Sequence, residues 1–142
     1  NDKLDGRLIE WFDPECFEHE DYIFYFGGYS KNETDYKNDK KDGKCTNWYK
    51  EGQKASKGNY KKGKMDGKWT YWYENGRKKE ELIYIDGNRN GLWMSWHRNG
   101  QKKSEISFKD DKRDGMWFEW HDDGKKWWEA EYKNGECVSG GC

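Results

Sequence analysis

Between residues 36 and 135 large apolar side chains recur on a fixed beat, and most positions between them are charged, polar or glycine. Tyr36, Tyr60, Tyr84, Phe108 and Tyr132 stand 24 residues apart. Gly43, Gly67, Gly91 and Gly115 keep the same interval, as do Gly52, Gly76, Gly100 and Gly124. Trp48, Trp72, Trp96 and Trp120 form one column, and Cys45, Trp69, Trp93 and Trp117 another. Self-similarity at a fixed period of this length marks a repeat architecture.

Each copy holds two turn signals. Asn75-Gly76, Asn99-Gly100 and Asp123-Gly124 make one series; Lys62-Gly63, Asp86-Gly87 and Asn134-Gly135 make the other. Such dipeptides suit two-residue type I′ hairpin turns, whose central residues both need positive φ. Between the turns lie Pro-free segments of nine residues (Arg77 to Ile85) and eleven (Asn88 to Arg98). Short, aromatic and glycine-bounded, they predict strands, and two-residue connections make neighbours antiparallel. The unequal lengths require a bulge, which the Gly67, Gly91, Gly115 column is placed to supply.

Counting outward from Asn75-Gly76 sets Trp72 against Lys79 and Trp69 against Leu82. Thr70, Trp72, Lys79 and Glu81 then share one face, and Trp69, Tyr71, Tyr73, Lys78 and Leu82 the other. Both faces mix aromatic rings with charge, unlike a sheet with one oily face on a core. The expectation is all-β: an elongated single-layer antiparallel meander of 24-residue hairpins, stabilised by the number of stacked repeats. A parallel β-solenoid is the competing fold, and the short turns speak against it.

Composition agrees. Hydrophobic residues are 32% and charged residues 39%, a balance that would suggest disorder, but aromatics reach 18%. The apolar content is thus concentrated in a few large rings, with little Leu, Ile or Val for a deep core. Net charge is −1 with both signs finely mixed, which excludes an electrostatic nucleic-acid binder. No apolar run approaches the length of a membrane-spanning helix.

The chain divides into 1–35 (degenerate repeats), 36–131 (four regular copies) and 132–142 (a partial copy). Upstream, Phe12 is read into the tyrosine column, Phe24 into the tryptophan column, and Gly28 and, two residues short, Gly6 into the Gly76 column. On that count the tail stops about where the head begins. Copies placed head to tail would continue the repeat by strand addition and run on as a fibre-like ribbon. The assembly edges are then Leu8, Ile9, Trp11 and Phe12 at one end and Tyr132, Val138 and Cys142 at the other.

The recurring motif Y-x-x-G-x-x-x-G-x-W-x-x-W-Y-x-N-G-x-x-x-x-E over residues 36–135 resembles the MORN repeat in its bacterial variant form. The resemblance implies an elongated, twisted, single-layer sheet of hairpins. It also implies two roles besides self-assembly: an antitoxin or immunity-type module that blocks a protein partner such as a toxin, or a membrane-associated scaffold. Near-zero net charge gives the membrane role little electrostatic support.

Little points to chemistry. His97 and His121 occupy the column of Tyr49 and Tyr73 and, two strands apart, would be separated by about 9–10 Å. That is too far for one zinc, whose bonds to nitrogen are about 2.0–2.1 Å. His19 has no partner motif. There is no nucleophile elbow, phosphate loop or dinucleotide fingerprint. The expectation is a non-enzyme with no cofactor, no catalytic residue and no metal site. Trp48, Trp69, Trp72, Trp93, Trp96, Trp117 and Trp120 would form ladders on the two faces, either packing on one another or offering an aromatic platform to a partner.

Cys16, Cys45, Cys137 and Cys142 lack any CxxC spacing; an even count is compatible with disulfides in an oxidising compartment, with the pairing open among three alternatives. Cys142 could also link one subunit to the next. Together with the absence of an initial Met, this points to an extracellular or cell-surface protein, with the cytoplasm as alternative. Asn32-Glu33-Thr34 has the pattern of a glycosylation sequon.

Overall fold

The computed structural model describes residues 3–11 and 29–142. Among them there is no helix, and twelve strands form one open antiparallel sheet. They are β1 (Gly6–Trp11), β2 (Tyr29–Lys37), β3 (Lys40–Tyr49), β4 (Lys54–Lys61), β5 (Lys64–Trp72) and β6 (Lys78–Ile85). There follow β7 (Asn88–Arg89), β8 (Gly91–Trp96), β9 (Lys102–Lys109), β10 (Lys112–Trp120), β11 (Lys126–Lys133) and β12 (Glu136–Gly140). Spatial order is chain order, with β7 and β8 together forming one rung beside β6. The sheet is therefore a meander with edges at β1 and β12, not a closed barrel, and the parallel solenoid is ruled out.

The two turn series behave differently. Lys62-Gly63, Asp86-Gly87 and Asn134-Gly135 have positive φ at both residues, the two-residue type I′ geometry the sequence asks for. The Asn75-Gly76 series does not. Only Gly76 has positive φ, Gly76 N donates to Tyr73 O at 2.9 Å, and Tyr73 N donates to Arg77 O at 2.8 Å. This is a three-residue loop with glycine closing it as a bulge. Asn75 Oδ1 accepts from Arg77 N at 3.1 Å, fixing the loop from within. The longer loop moves the register: Trp72 stands against Lys78, not Lys79, with a shift between Tyr71 and Trp72. Lys78 accordingly joins the Glu81 face and Lys79 leaves it.

The glycine bulge is where the sequence places it. Between β4 and β5, Lys57 pairs with Thr70 and Asn59 with Asp66, so Gly58 alone faces Gly67, Lys68 and Trp69. Gly67 takes φ 79° to make the step. Gly58 has a different reason: a Cβ there would lie 2.1 Å from the Trp69 ring. The indole lies flat on that stretch of backbone.

The first copy departs from the period count. Gly6 pairs with Tyr36 as Gly67 pairs with Tyr84, so Gly6 belongs to the bulge column and not to the Gly76 column. Trp11 pairs with Lys31 in an unbroken register, without the shift that sets Trp72 against Lys78. The head thus keeps the bulge-column glycine but lacks that shift, and its connection in sequence between Trp11 and Lys31 is longer, rather than two residues short. Phe12, Pro14, Cys16, His19, Phe24 and Gly28 lie outside the described residues. Both edges now hold the same kind of strand, since Cys137 stands against Tyr132 as Met65 does against Tyr60.

Apolar burial gathers on one face. Cys45, Trp69 and Leu82 form a core cluster, with Tyr60, Met65, Tyr71, Tyr84 and Trp93 packed against it. Trp69 is only 2% exposed although no second layer covers it. The rings of Tyr60 and Trp69 meet edge to face at 5.1 Å, and Trp69 stacks with Tyr71 at 6.2 Å. The two faces are therefore less alike than the sequence suggests, because aromatic neighbours in consecutive strands cover one another.

Candidate functional site

The opposite face, named here for Glu81, is a lattice of lysine, glutamate and tryptophan. Lys31 lies over the Trp48 ring at 4.8 Å, Lys78 over Trp96 at 5.5 Å and Lys102 over Trp120 at 5.2 Å. The same lysines hold carboxylates: Lys78 Nζ to Glu81 Oε2 at 2.8 Å and Lys102 Nζ to Glu105 Oε2 at 2.6 Å. Lys68 adds a second bond to Glu81 at 2.7 Å. Burial would raise the Glu81 pKa, but Lys68 and Lys78 bring it below its ordinary value. These rings and charges are engaged with one another, so this tryptophan column stiffens the sheet.

A second ladder ties each repeat to the next. Tyr49 Oη donates to Trp72 O and Tyr73 Oη to Trp96 O, both at 2.7 Å. His97 Nε2 sits 2.9 Å from Trp120 O. A carbonyl only accepts, so His97 carries its proton on Nε2. Burial raises the pKa values of Tyr49 and Tyr73 and pushes that of Tyr60, in the core cluster of the other face, up to about 12.

On the Trp69 face, direct pairing sets Tyr71, Glu80, Ser95, Ser104, Glu119 and Trp128 side by side across the strands. Two serines meet where the flanking strands carry long side chains, and the surface dips. The result is an open hollow of about 350 Å³, lined by Trp93 and Trp117 besides Ser95, Ser104, Glu80 and Glu119. Ser95 Oγ and Ser104 Oγ share a bond of 2.6 Å on its floor. The three tryptophans of this column have different fates. Trp69 is buried and donates to Asn59 O at 3.1 Å. Trp117 donates to Glu119 Oε1 at 3.0 Å. Trp93 Nε1 is buried with no hydrogen-bond partner among the described residues. Sequence reasoning singled out the tryptophans but not the serines, which nothing short of the register brings together.

The remaining sequence candidates fall as follows. Leu8, Ile9 and Trp11 lie in the edge strand β1 and Val138 in the edge strand β12. Tyr132 is not at an edge: β11 is paired on both sides. Cys142 bonds Cys137 within the chain, Cα atoms 5.8 Å apart, so its sulfur is not available to tie subunits together. Cys45 is a buried free thiol accepting from Thr34 Oγ1 at 3.2 Å. Thr34 is fully buried and Asn32 Nδ2 donates to Asn47 Oδ1 at 2.5 Å, so the sequon is folded into the sheet. His97 and His121 form no metal cluster with other ligating side chains among the described residues.

The family model described as MORN repeat variant matches four times in tandem, at residues 41–62, 65–86, 89–110 and 113–134. Each match spans one hairpin of the regular sheet. No curated protein matches the chain.

Proposed function

This chain belongs to the MORN repeat variant family, and on that premise we propose that it is a non-catalytic scaffold that docks a protein partner on its Glu81 face. At the coarser level it is a repeat-based interaction or structural protein. The observation that carries the finer reading is a pair of exposed aliphatic side chains on adjacent rungs of that face, Ile83 on β6 and Leu92 on β8, with Met116 on β10 beyond Ser107 of the intervening β9. Ile83, Leu92 and Met116 are 42%, 37% and 38% exposed, and Ile85 adds to the patch at 52%. Ile83 Cδ1 would lie 3.8 Å from a Cβ at Gly91, next to Leu92, so these groups are neighbours. On so charged a surface an apolar patch with a lysine and glutamate rim has the make-up of a contact surface. A toxin held inactive by such a module is the partner the family resemblance suggests.

A photo-crosslinking residue at Leu92, in cells that make the protein, tests this against the same residue at Lys103. The reading requires one dominant crosslinked protein from position 92 and none from 103. Equal crosslinking from both, or none from 92, would overturn it.

A second reading is self-association through the edges, favoured by exposed Ile9 in β1 and Val138 in β12. Electron microscopy of the unreduced protein decides it, fibres supporting assembly and separate particles refuting it. Attachment to a membrane as a scaffold is the remaining alternative, tested by vesicle co-flotation. The Cys137–Cys142 bond favours an oxidising compartment, at the cell surface or beyond.

A further inference from the structure

We propose that Lys44, Lys54 and Lys57, on the Glu81 face, form a cluster that docks a carboxylate side chain of a protein partner. The inference rests on the partner reading above and names the chemistry that partner brings.

The cluster is a break in the lysine, glutamate and tryptophan lattice. Register sets Glu33, Lys57, Glu81, Glu105 and Glu129 in one column. Each glutamate is bonded by a lysine two or three residues before it: Lys31, Lys78, Lys102 and Lys126. Lys54 stands in that place before Lys57, and what it meets is a like charge. Lys31, Lys78 and Lys102 cover Trp48, Trp96 and Trp120, but among the described residues no cation lies over Trp72, the ring left to Lys54. Lys44 stands diagonally to Lys57 as Lys68 does to Glu81. All three lysines are exposed, and no ion pair holds them among the described residues. The carboxylates beside them are engaged: Asp35 is bonded by Arg7 and by Lys44 N, and Asp66 accepts from Asp86 N. Like charges on neighbouring strands weaken a sheet, so this copy gives up stability that a glutamate would supply.

The rest of the column identifies the occupant. In the Glu81 copy one carboxylate is held by Lys68 at 2.7 Å and Lys78 at 2.8 Å. A carboxylate from outside takes the corresponding bonds from Lys44 and Lys54, with Lys57 as a third donor. A nucleic-acid strand running along the face would meet Glu33 before the cluster and Glu81, Glu105 and Glu129 beyond it. The apolar pair is close by. Ile83 stands against Lys68 on β6, two strands from Lys57 on β4, or about 9–10 Å across the sheet. The partner surface that fits therefore carries an aspartate or glutamate about that far from an apolar side chain, a charged rim beside an apolar contact.

The test is zero-length crosslinking with a water-soluble carbodiimide, which joins a lysine amine to a carboxylate in direct contact. Applied to the protein in extracts of cells that make it, and read by peptide mapping, it should give amides from Lys44, Lys54 or Lys57 to an aspartate or glutamate of one other protein. Lys57→Glu copies the rest of the column and should fold at least as stably as wild type. It should cut the links at Lys44 and Lys54 about tenfold or more, since like charge then faces the incoming carboxylate. Lys57→Arg keeps the charge and should keep those links. Lys54→Gln, at an exposed side chain, should lower the links at Lys44 and Lys57, so the outcome does not hang on one variant. No amide to another protein at these lysines overturns the proposal. So do amides formed only within this chain or between its copies, and links at Lys44 and Lys54 that survive Lys57→Glu undiminished. Capture through Leu92 without these amides refutes the cluster alone, and the amides without capture through Leu92 refute the apolar docking surface alone.

Discussion

The phenol of Tyr73 donates to the main-chain carbonyl of Trp96, one repeat further on, at 2.7 Å. Tyr49 makes the same bond to Trp72, and His97 continues the series to Trp120. Each bond runs from the residue before one three-residue loop to the last residue of the corresponding strand in the next copy, outside the strand ladder. Tyr73→Phe should therefore destabilise the sheet by about 1 kcal/mol, the net worth of one hydrogen bond. Urea unfolding followed by tryptophan fluorescence measures it. His97→Tyr restores the column's usual donor and should leave stability unchanged or raised, whereas His97→Ala should lower it. A Tyr73→Phe protein as stable as wild type would show that the ladder is incidental.

Gly58 and Trp69 give a second prediction. A methyl at residue 58 would lie inside the indole, 2.1 Å from its nearest atom. Gly58→Ala should cost about 3 kcal/mol, because neither the ring nor the β4 backbone can move without breaking pairs on both sides. Gly67→Ala meets no atom within 4 Å and pays only for positive φ, about 1–2 kcal/mol. The ordering matters more than the sizes. Equal costs would mean that Trp69 is not pinned on the backbone.

These contacts separate what the residues announce from what they hide. Asp86-Gly87 and Asn75-Gly76 look alike, and one rule for both gives the correct strands but the wrong partner for Trp72. The dipeptide does not decide it, since Asn134-Gly135 makes the two-residue turn while Asn75-Gly76, with Asn75 bonding Arg77 N, makes a loop one residue longer. The Gly67 bulge is legible because unequal strand lengths demand it. Gly6 is not, because counting by period cannot locate a longer connection inside a degenerate copy, while pairing with Tyr36 does so at once. The hollow is illegible for another reason. Ser95 and Ser104 are unremarked residues on different strands, and only register makes them neighbours.

Acid should loosen the sheet through Glu81. Its folded pKa lies below the ordinary 4.5, because the ion pairs with Lys68 and Lys78 outweigh its burial. A depressed carboxylate contributes stability above its unfolded pKa and loses it as pH falls through the folded value. Asp111, held by Arg89, and Asp35, held by Arg7, carry the same sign. Unfolding free energy should thus fall below pH 4.5, and more steeply in wild type than in Glu81→Gln. At neutral pH Glu81→Gln should cost less than about 1 kcal/mol, since the lysine partners are largely exposed. Parallel acid limbs for the two proteins would remove Glu81 from the account.

The Cys137–Cys142 bond closes a loop of sequence separation 5 at the end of the sheet, where Gly141 N also donates to Glu129 O at 2.9 Å. Chain entropy alone values so short a loop at about 2 kcal/mol. In a repeat array each rung contacts only its neighbours, so the effect should stay local. Reduction, or Cys142→Ser, should release the amides of β12 to hydrogen exchange and partly those of β11, which pairs with it. The amides of β4, β5 and β6, around Trp69, should keep their protection. Loss of protection spreading evenly to β5 would mean that the sheet unfolds as one cooperative unit. Its stability could then not be described as a sum over copies, and the cost of Tyr73→Phe would have to be read as a property of the whole ribbon.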